Sequence, residues 1–277
     1  MSGAAASRGS AIRSVIVGAS GRMGMQMLRL LPTFPRLKLV GAVASERSAA
    51  LGEDAGAVAG ARGVPISASL PPLLAGADLV IDFSRADAAA AHVAACVAAR
   101  VPLLLGTSGL PAELAAPLAA AAEVIPLLVA PNTSPGVTLL LELVRQAAQA
   151  LPRNYDIEIM EAHHRSKVDA PSGTALALGE AAAMGRGQAL GEQAAYARYG
   201  HAGPRREGQI GFAALRGGDV VGEHEVWFLG DGERLLLKHS ATDRSVFARG
   251  ALLAGQWLAG RPPGRYGMRD VFINGYR

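Results

Sequence analysis

Apolar and polar positions follow two patterns along the chain. Up to about residue 134, short unbroken apolar runs alternate with stretches of helical spacing. The runs at 14–17, 37–43, 79–82, 101–105 and 125–130 predict strands, because continuous apolar runs suit strands buried on both faces. Between them, 23–31, 86–99 and 111–122 carry the spacing of helices. Strands alternating with helices predict a doubly wound parallel sheet.

The pattern then changes. Residues 136–151 form a strongly amphipathic helical stretch, with Val137, Leu140, Leu141, Val144 and Leu151 on one face. Residues 156–160 alternate like a half-buried strand, and a helix is expected to start at Ser172 or Gly173. Three further strands are predicted at 210–215, 223–229 and 233–239, divided by the Gly-rich turns Arg216-Gly217-Gly218-Asp219 and Gly230-Asp231-Gly232. Links this short predict antiparallel neighbours. Residues 185–204, rich in Gly, Ala and Arg, are expected to hold the least structure inside the chain. A last helix at 247–258 is expected to return to the first domain.

Composition narrows the function classes. The 277 residues are half hydrophobic and 18% charged, enough for one large or two ordinary domains and unlike a disordered chain. The net charge of +4 raises the question of nucleic acid, but no run of Arg and Lys exceeds two residues. A scattered positive bias suits anionic small molecules better. The one cysteine, Cys96, lies in an Ala-rich helical pattern and reads as a small buried hydrophobe. It makes no internal disulfide, no Cys/His metal spacing exists, and a reducing, cytoplasmic setting fits. Residues 1–10 are small and polar, without the apolar core of a secretion signal, and are expected to be a frayed tail. The most apolar longer stretch, 124–144, is broken by Pro126, Pro131, Asn132 and Pro135, so no membrane span is expected.

Two motifs carry chemistry. The first is Val17-Gly18-Ala19-Ser20-Gly21-Arg22-Met23-Gly24, between the first strand and first helix. Gly18 permits a tight turn, Gly21 lets a phosphate approach the backbone, and Gly24 lets the helix sit close to the sheet. The helix start offers N–H groups and partial positive charge to a pyrophosphate, and Arg22 adds a full charge. A dinucleotide is the expected ligand. Its ribose is read after the second strand, where Ser45, Glu46 and Arg47 stand. Ser45 and Arg47 suit a 2′-phosphate and Glu46 suits a ribose hydroxyl, so NADPH and NADH both remain open. Small loops at two other strand ends, Gly106-Thr107-Ser108-Gly109 and Ala130-Pro131-Asn132-Thr133-Ser134, are candidate nicotinamide contacts.

The second motif is the unbroken stretch from Glu161 to Ala175, Glu-Ala-His-His-Arg-Ser-Lys-Val-Asp-Ala-Pro-Ser-Gly-Thr-Ala. Ser172 is placed as an N-cap, and the N–H groups of Gly173 and Thr174 follow. Helix starts bind carboxylates as they bind phosphates. His164 and Lys167 supply positive charge to a second carboxylate, while His163 or Lys167 delivers a proton. The segment reads as a dianion clamp with a proton donor. A metal is not expected, since adjacent His side chains diverge and no further ligand is spaced to complete a site.

Together the motifs closely resemble dihydrodipicolinate reductase. The family's Gly-x-x-Gly-Arg-Met-Gly falls on Gly18 to Gly24, and its second signature on Glu161 to Ala175 without a gap. The likeness extends to Gly106-Thr107, the Asn132 loop, Gly208 to Phe212, Gly222-Glu223-His224 and Met268 to Val271. The resemblance implies an α/β chain with a Rossmann-type doubly wound domain at 1–134, completed by 245–277. It also implies a second α+β domain at 135–244, with an open mixed sheet, that binds substrate and builds a homotetramer. The activity that the resemblance implies is hydride transfer from NADH or NADPH to a cyclic imine dicarboxylate, in lysine and diaminopimelate synthesis. The resemblance makes His163 the proton donor/acceptor and Lys167 a proton donor, with His164, Gly173 and Thr174 on substrate carboxylates. Gly18, Ala19, Ser20, Gly21, Arg22, Met23, Ser45, Gly106, Thr107, Ser108, Ala130, Pro131, Asn132 and Thr133 become cofactor contacts.

The chain departs from the family at two points. Ala44 and Ser45 stand where an acid is common, which tilts the expectation toward NADPH, and Thr133 stands where Phe is common. Two other classes compete. One is another two-domain NAD(P)-dependent reductase, acting on an amino-acid semialdehyde or a different cyclic imine; the Glu161 to Ala175 signature argues against it, and semialdehyde phosphorylating enzymes need a reactive cysteine where Cys96 lies in a helical pattern. A non-catalytic nucleotide sensor would bind cofactor and lose nothing on Lys167→Ala.

Overall fold

The computed structural model describes residues 10–275. The tail expected at residues 1–10 therefore lies, apart from Ser10, outside the described residues. The chain clusters into two units, one running to Thr133 and resuming at Ser245, the other spanning Ser134–Arg244.

The first unit begins with β1 (Ile12–Val17), α1 (Arg22–Leu30), β2 (Leu37–Val43), β3 (Ile66–Ser67) and α2 (Pro71–Leu74). It continues with β4 (Leu79–Asp82), α3 (Ala86–Ala99), β5 (Leu103–Leu105), α4 (Ala115–Ala122) and β6 (Pro126–Val129). The second unit holds α5 (Pro135–Ala150), β7 (Asp156–His163), α6 (Gly173–Arg186), α7 (Leu190–Gln193), β8 (Ala194–Ala195), β9 (Ile210–Arg216), β10 (Gly222–Leu229) and β11 (Arg234–Ala241). The chain then rejoins the first unit through α8 (Ser245–Leu258), β12 (Gly264–Tyr266) and α9 (Met268–Phe272).

The first sheet has seven strands in the order β12-β6-β5-β4-β1-β2-β3, and every pair is parallel. Strand residues alternate between two cores. Ile16, Ile81, Leu104 and Leu128 face α1 and α8, where Met27, Leu28 and Leu252 lie. Val15, Val17, Val80, Leu103 and Leu105 face α3 and α4, with Val93 and Leu118. Full burial of such side chains is worth about 1.5–3 kcal/mol each, and it requires the unbroken apolar runs seen in the sequence. All carboxyl ends of the strands share one edge. The order reverses between β1 and β4, the switch point at which open α/β sheets bind ligands.

The second sheet is mixed, in the order β11-β10-β7-β9-β8. α5 and α6 cover one face, where Leu140, Val144, Leu178 and Ala182 meet Ile157, Ile159, Phe212, Val226 and Phe228. One sequence expectation is corrected here. β10 and β11 are antiparallel neighbours, but β9 does not pair with β10, because β7 lies between them, parallel to β9 and antiparallel to β10. The link 217–221 crosses the end of β7, tied by Gly217 N–H to the His163 carbonyl at 3.0 Å and by Arg165 N–H to the Gly218 carbonyl at 3.2 Å. Residues 185–204 also hold more than expected. Beyond Gly187, at φ +68°, come α7 with buried Leu190 and then β8, paired with β9. Elements of four and two residues are too short to show a period.

Candidate active site

Each unit holds part of the predicted machinery. In the first unit, the turn after β1 is shaped by its glycines. Gly18 sits at φ +80°, and a β-carbon there would lie 2.6 Å from the Phe83 carbonyl oxygen. At Gly24 it would lie 2.1 Å from the Gly18 carbonyl oxygen, so only glycine lets α1 start this close to the turn. The N–H groups of Gly18 and Ala19 both bond the Val43 carbonyl, at 2.9 and 2.8 Å, fixing the turn to the end of β2. No side chain caps α1 at Gly21, which leaves the helix start shaped for an anion.

Beside this turn, a cavity of about 350 Å³ is lined by Met23, Phe83, Ser84, Gly106, Thr107, Ser108, Pro131, Asn132, Thr133 and Phe247. It gathers the loops after β4, β5 and β6 at the carboxyl edge of the sheet. The fit is close: a β-carbon on Gly106 would stand 2.2 Å from the Phe83 ring. Thr133 Oγ1 donates to the Phe247 carbonyl at 2.7 Å, pinning the last loop to α8. Beneath the cavity, the buried Asp82 carboxylate accepts from Ser84 N–H and pairs with His92 Nδ1, both at 2.8 Å. The glycine turn, uncapped helix and small-residue cavity together fit a dinucleotide. Ser45, Glu46 and Arg47 are exposed, and it is Ser48 whose hydroxyl reaches Ser20, at 3.1 Å.

In the second unit, β7 delivers Glu161 and His163 to the same side of the strand, and the following loop, with a cis Ala170–Pro171 bond, leads into α6. Ser172 caps α6 by accepting from Ala175 N–H at 3.1 Å. A β-carbon on Gly173 would meet nothing within 4 Å, so the first turn lies open. Lys167 Nζ is paired with both oxygens of Asp169 at 2.8 Å, which holds that carboxyl below its ordinary range. His164 is half-buried at the start of this loop.

Glu161 is buried at the centre. His163 Nδ1 stands 2.6 Å from its carboxylate, Arg216 bonds both oxygens at 2.7 Å, and the Ser172 N–H adds a contact at 3.1 Å. Burial opposes ionisation of Glu161, but the bonds from Arg216, His163 and Ser172 outweigh it and hold the carboxyl below the usual range. Burial also lowers the pKa of His163, against the pull of Glu161. Across the sheet, His224 lies edge-on to His163 with ring centroids 5.2 Å apart, and its Nε2 is 3.2 Å from Ser172 Oγ. Burial, then the neighbouring His163, lowers its pKa from 6.5 to about 4.

The predicted residues thus form two groups. Met23, Gly106, Thr107, Ser108, Pro131, Asn132 and Thr133 share the first cavity. His163, His164, Lys167, Gly173 and Thr174 share the loop and helix start of the second unit. Sequence reasoning missed Phe83, Ser84 and Phe247, which lack a local motif, and the Arg216 partner of Glu161, which only strand register reveals. Among the described residues no group of three or more His, Cys, Asp or Glu side chains is placed to hold a metal. No helix among them is long and apolar enough to cross a membrane. Cys96 is fully buried, and burial followed by the nearby Asp82 pushes its thiol up to about 12, which removes it as a nucleophile.

A family model described as the N-terminus of dihydrodipicolinate reductase matches residues 12–133, and one described as its C-terminus matches residues 136–272. The 4-hydroxy-tetrahydrodipicolinate reductase of Anaeromyxobacter dehalogenans is 50% identical over 259 residues, covering 93% of this chain and 96% of that one. The corresponding protein of Myxococcus xanthus is 47% identical over 266 residues, covering 94% and 97%. A solved structure of dipicolinate-bound dihydrodipicolinate reductase from Paenisporosarcina sp. TG-14 has the same fold, with a TM-score of 0.73 at 24% identity over 93% of this chain and 97% of that one.

Proposed function

The chain belongs to the dihydrodipicolinate reductase family, and from that premise we propose that it reduces 4-hydroxy-tetrahydrodipicolinate to tetrahydrodipicolinate in diaminopimelate and lysine biosynthesis. NADH or NADPH supplies the hydride, which goes to C4 of the ring, and one proton is taken up as water leaves. The observation that carries the reading is the loop from Glu161 to Ala175, which sets a buried imidazole, a lysine and an open helix start within one segment.

The first turn of α6 receives one substrate carboxylate through Gly173 and Thr174, where backbone N–H groups and the helix dipole favour an anion. His164 receives the second. Lys167 exchanges Asp169 for the incoming dianion, and Lys167 and His163 handle the proton that accompanies hydride. In the other unit, Gly18 to Met23 hold the pyrophosphate. Gly106, Thr107, Ser108, Ala130, Pro131, Asn132 and Thr133 hold the nicotinamide side, and Ser45, with Ser20 and Ser48, meets the adenosine ribose.

The protein acts as a homotetramer in the cytoplasm on this reading. Self-association is supported by the sheet face opposite α5 and α6, where strand alternation places Met160, Leu215, Trp227, Leu229 and Leu236. Leu215 is 53% exposed and Leu236 41%. A free, buried thiol as the sole cysteine fits a reducing compartment. The test is a spectrophotometric assay with the fresh product of the preceding synthase. Loss of reduced-nicotinamide absorbance that depends on that substrate supports the reading. Cofactor binding without such loss overturns it in favour of another reductase or a sensor.

A further inference from the structure

We infer that Glu161 is the positioning residue of this site: held by Arg216, its carboxylate fixes which nitrogen of His163 carries the proton and anchors the start of α6. The inference rests on the reading above and adds a role for side chains outside the two signature histidines and lysine.

Ionised carboxylates are acceptors only, with about four lone-pair sites. All of Glu161's capacity is used: Oε2 takes His163 Nδ1 at 2.6 Å and one Arg216 nitrogen at 2.7 Å, while Oε1 takes the other Arg216 nitrogen at 2.7 Å and Ser172 N–H at 3.1 Å. Nδ1 of His163 must therefore be the protonated nitrogen, in the neutral ring as in the charged one. Nε2 is left with a lone pair. It points toward Gly222, where a β-carbon would be 3.1 Å away.

The charged groups around His163 are Glu161, Lys167 and Arg216, with His224 packed against its ring. Burial and the two cations favour a neutral imidazole in the unliganded protein. His163 is then an acceptor at Nε2. A bound dianion beside it reverses the balance, loading Nε2 with the proton that the reaction consumes.

The same carboxylate reaches the anion-binding helix. Ser172 is gripped twice, its N–H by Glu161 and its hydroxyl by His224 and the Ala175 N–H. Gly173 and Thr174 follow directly. Arg216 also bonds the Asp169 carbonyl at 2.6 Å, tying down the end of the Lys167 loop. One buried group thus aligns the proton-handling ring with the backbone that receives a carboxylate. Such support lets a site hold its geometry without rearrangement.

The test is nitrogen-15 NMR of the histidine rings in the full-length protein, with and without pyridine-2,6-dicarboxylate, combined with kinetics of E161Q and R216K. The wild type is expected to show His163 neutral and protonated at Nδ1, gaining a second proton at Nε2 when the dicarboxylate binds. E161Q, which offers one acceptor oxygen where four donors converge, is expected to populate the Nε2–H tautomer, with kcat lowered roughly 10²-fold and KM for the dicarboxylate raised. R216K, which keeps the carboxylate charged, should retain the Nδ1–H tautomer. A wild-type His163 protonated at Nε2 alone overturns the inference, as does an E161Q enzyme with unchanged tautomer and kcat. The wild-type spectrum decides the matter even if E161Q fails to fold. A wild type inactive on the synthase product but with the expected tautomer would count against the proposed reaction and leave the positioning role standing.

Discussion

Nε2 of His163 stands 3.1 Å from the point where a β-carbon on Gly222 would lie, closer than side chains ordinarily pack. Gly222 opens β10, and its missing side chain leaves space for the ring that Glu161 holds from the other nitrogen. Gly222→Ala is expected to turn or tilt that ring while leaving the sheet paired. Turnover should fall roughly 10- to 10²-fold, the scale of a sub-ångström to ångström misplacement. Steady-state kinetics and a crystal structure of the variant check this together; an unmoved ring with unchanged kcat contradicts it.

Lys167→Ala removes the proposed proton donor, a largely buried side chain whose ammonium pairs with half-exposed Asp169 in the loop. Turnover should drop roughly 10²- to 10⁴-fold, with cofactor affinity little changed. Fluorescence titration with NADPH alongside kcat separates the two. A loss of cofactor affinity as large as the loss of turnover would remove Lys167 from its assigned role.

Gly106→Ala acts on the other ligand. Its new methyl would meet the Phe83 ring, 2.2 Å from the nearest ring carbon, and the ring lines the cavity assigned to the nicotinamide. KM for NADH and NADPH should rise severalfold or more, while binding of pyridine-2,6-dicarboxylate in the other unit stays as in the wild type. Calorimetry with each ligand measures both.

Stability should depend on pH through His224. Its ring is held neutral in the fold, with a pKa lowered from 6.5 to about 4 by burial and by His163. Between those values the unfolded chain binds the extra proton, so stability falls as pH falls across that window. The contribution is on the order of 3 kcal/mol at about 1.4 kcal/mol per unit. Glu161 acts in the same direction lower down, its depressed pKa giving stability that is lost as pH drops through the folded-state value. Denaturant melts at a series of pH values should show a flatter slope for His224→Gln than for the wild type.

What the sequence revealed was local. Gly18 to Gly24 and Glu161 to Ala175 are contiguous, so their chemistry reads directly from residue order. The parallel sheet was legible for a similar reason, since strands buried on both faces are unbroken apolar runs. The pairing of Glu161 with Arg216 was not legible, because it arises from β7 and β9 lying side by side with His163 opposite Arg216. The expectation of three antiparallel neighbours failed on that arrangement, as β7 separates β9 from β10. Phe83, Ser84 and Phe247 reach the first cavity from different elements, and no spacing announces them. At the ribose side, Ser48, not one of the expected loop residues, is the one bonded to Ser20.

The central claim is that hydride passes to a cyclic dicarboxylate held by the second unit. Incubating the protein with nicotinamide coenzyme deuterated at C4, on the transferable face, and the fresh synthase product tests it directly. Mass spectrometry and NMR of the product should find one deuterium, on ring C4, formed in step with coenzyme oxidation. Coenzyme oxidised without label in the dicarboxylate, or a dicarboxylate that stays unreduced beside bound coenzyme, would contradict the claim.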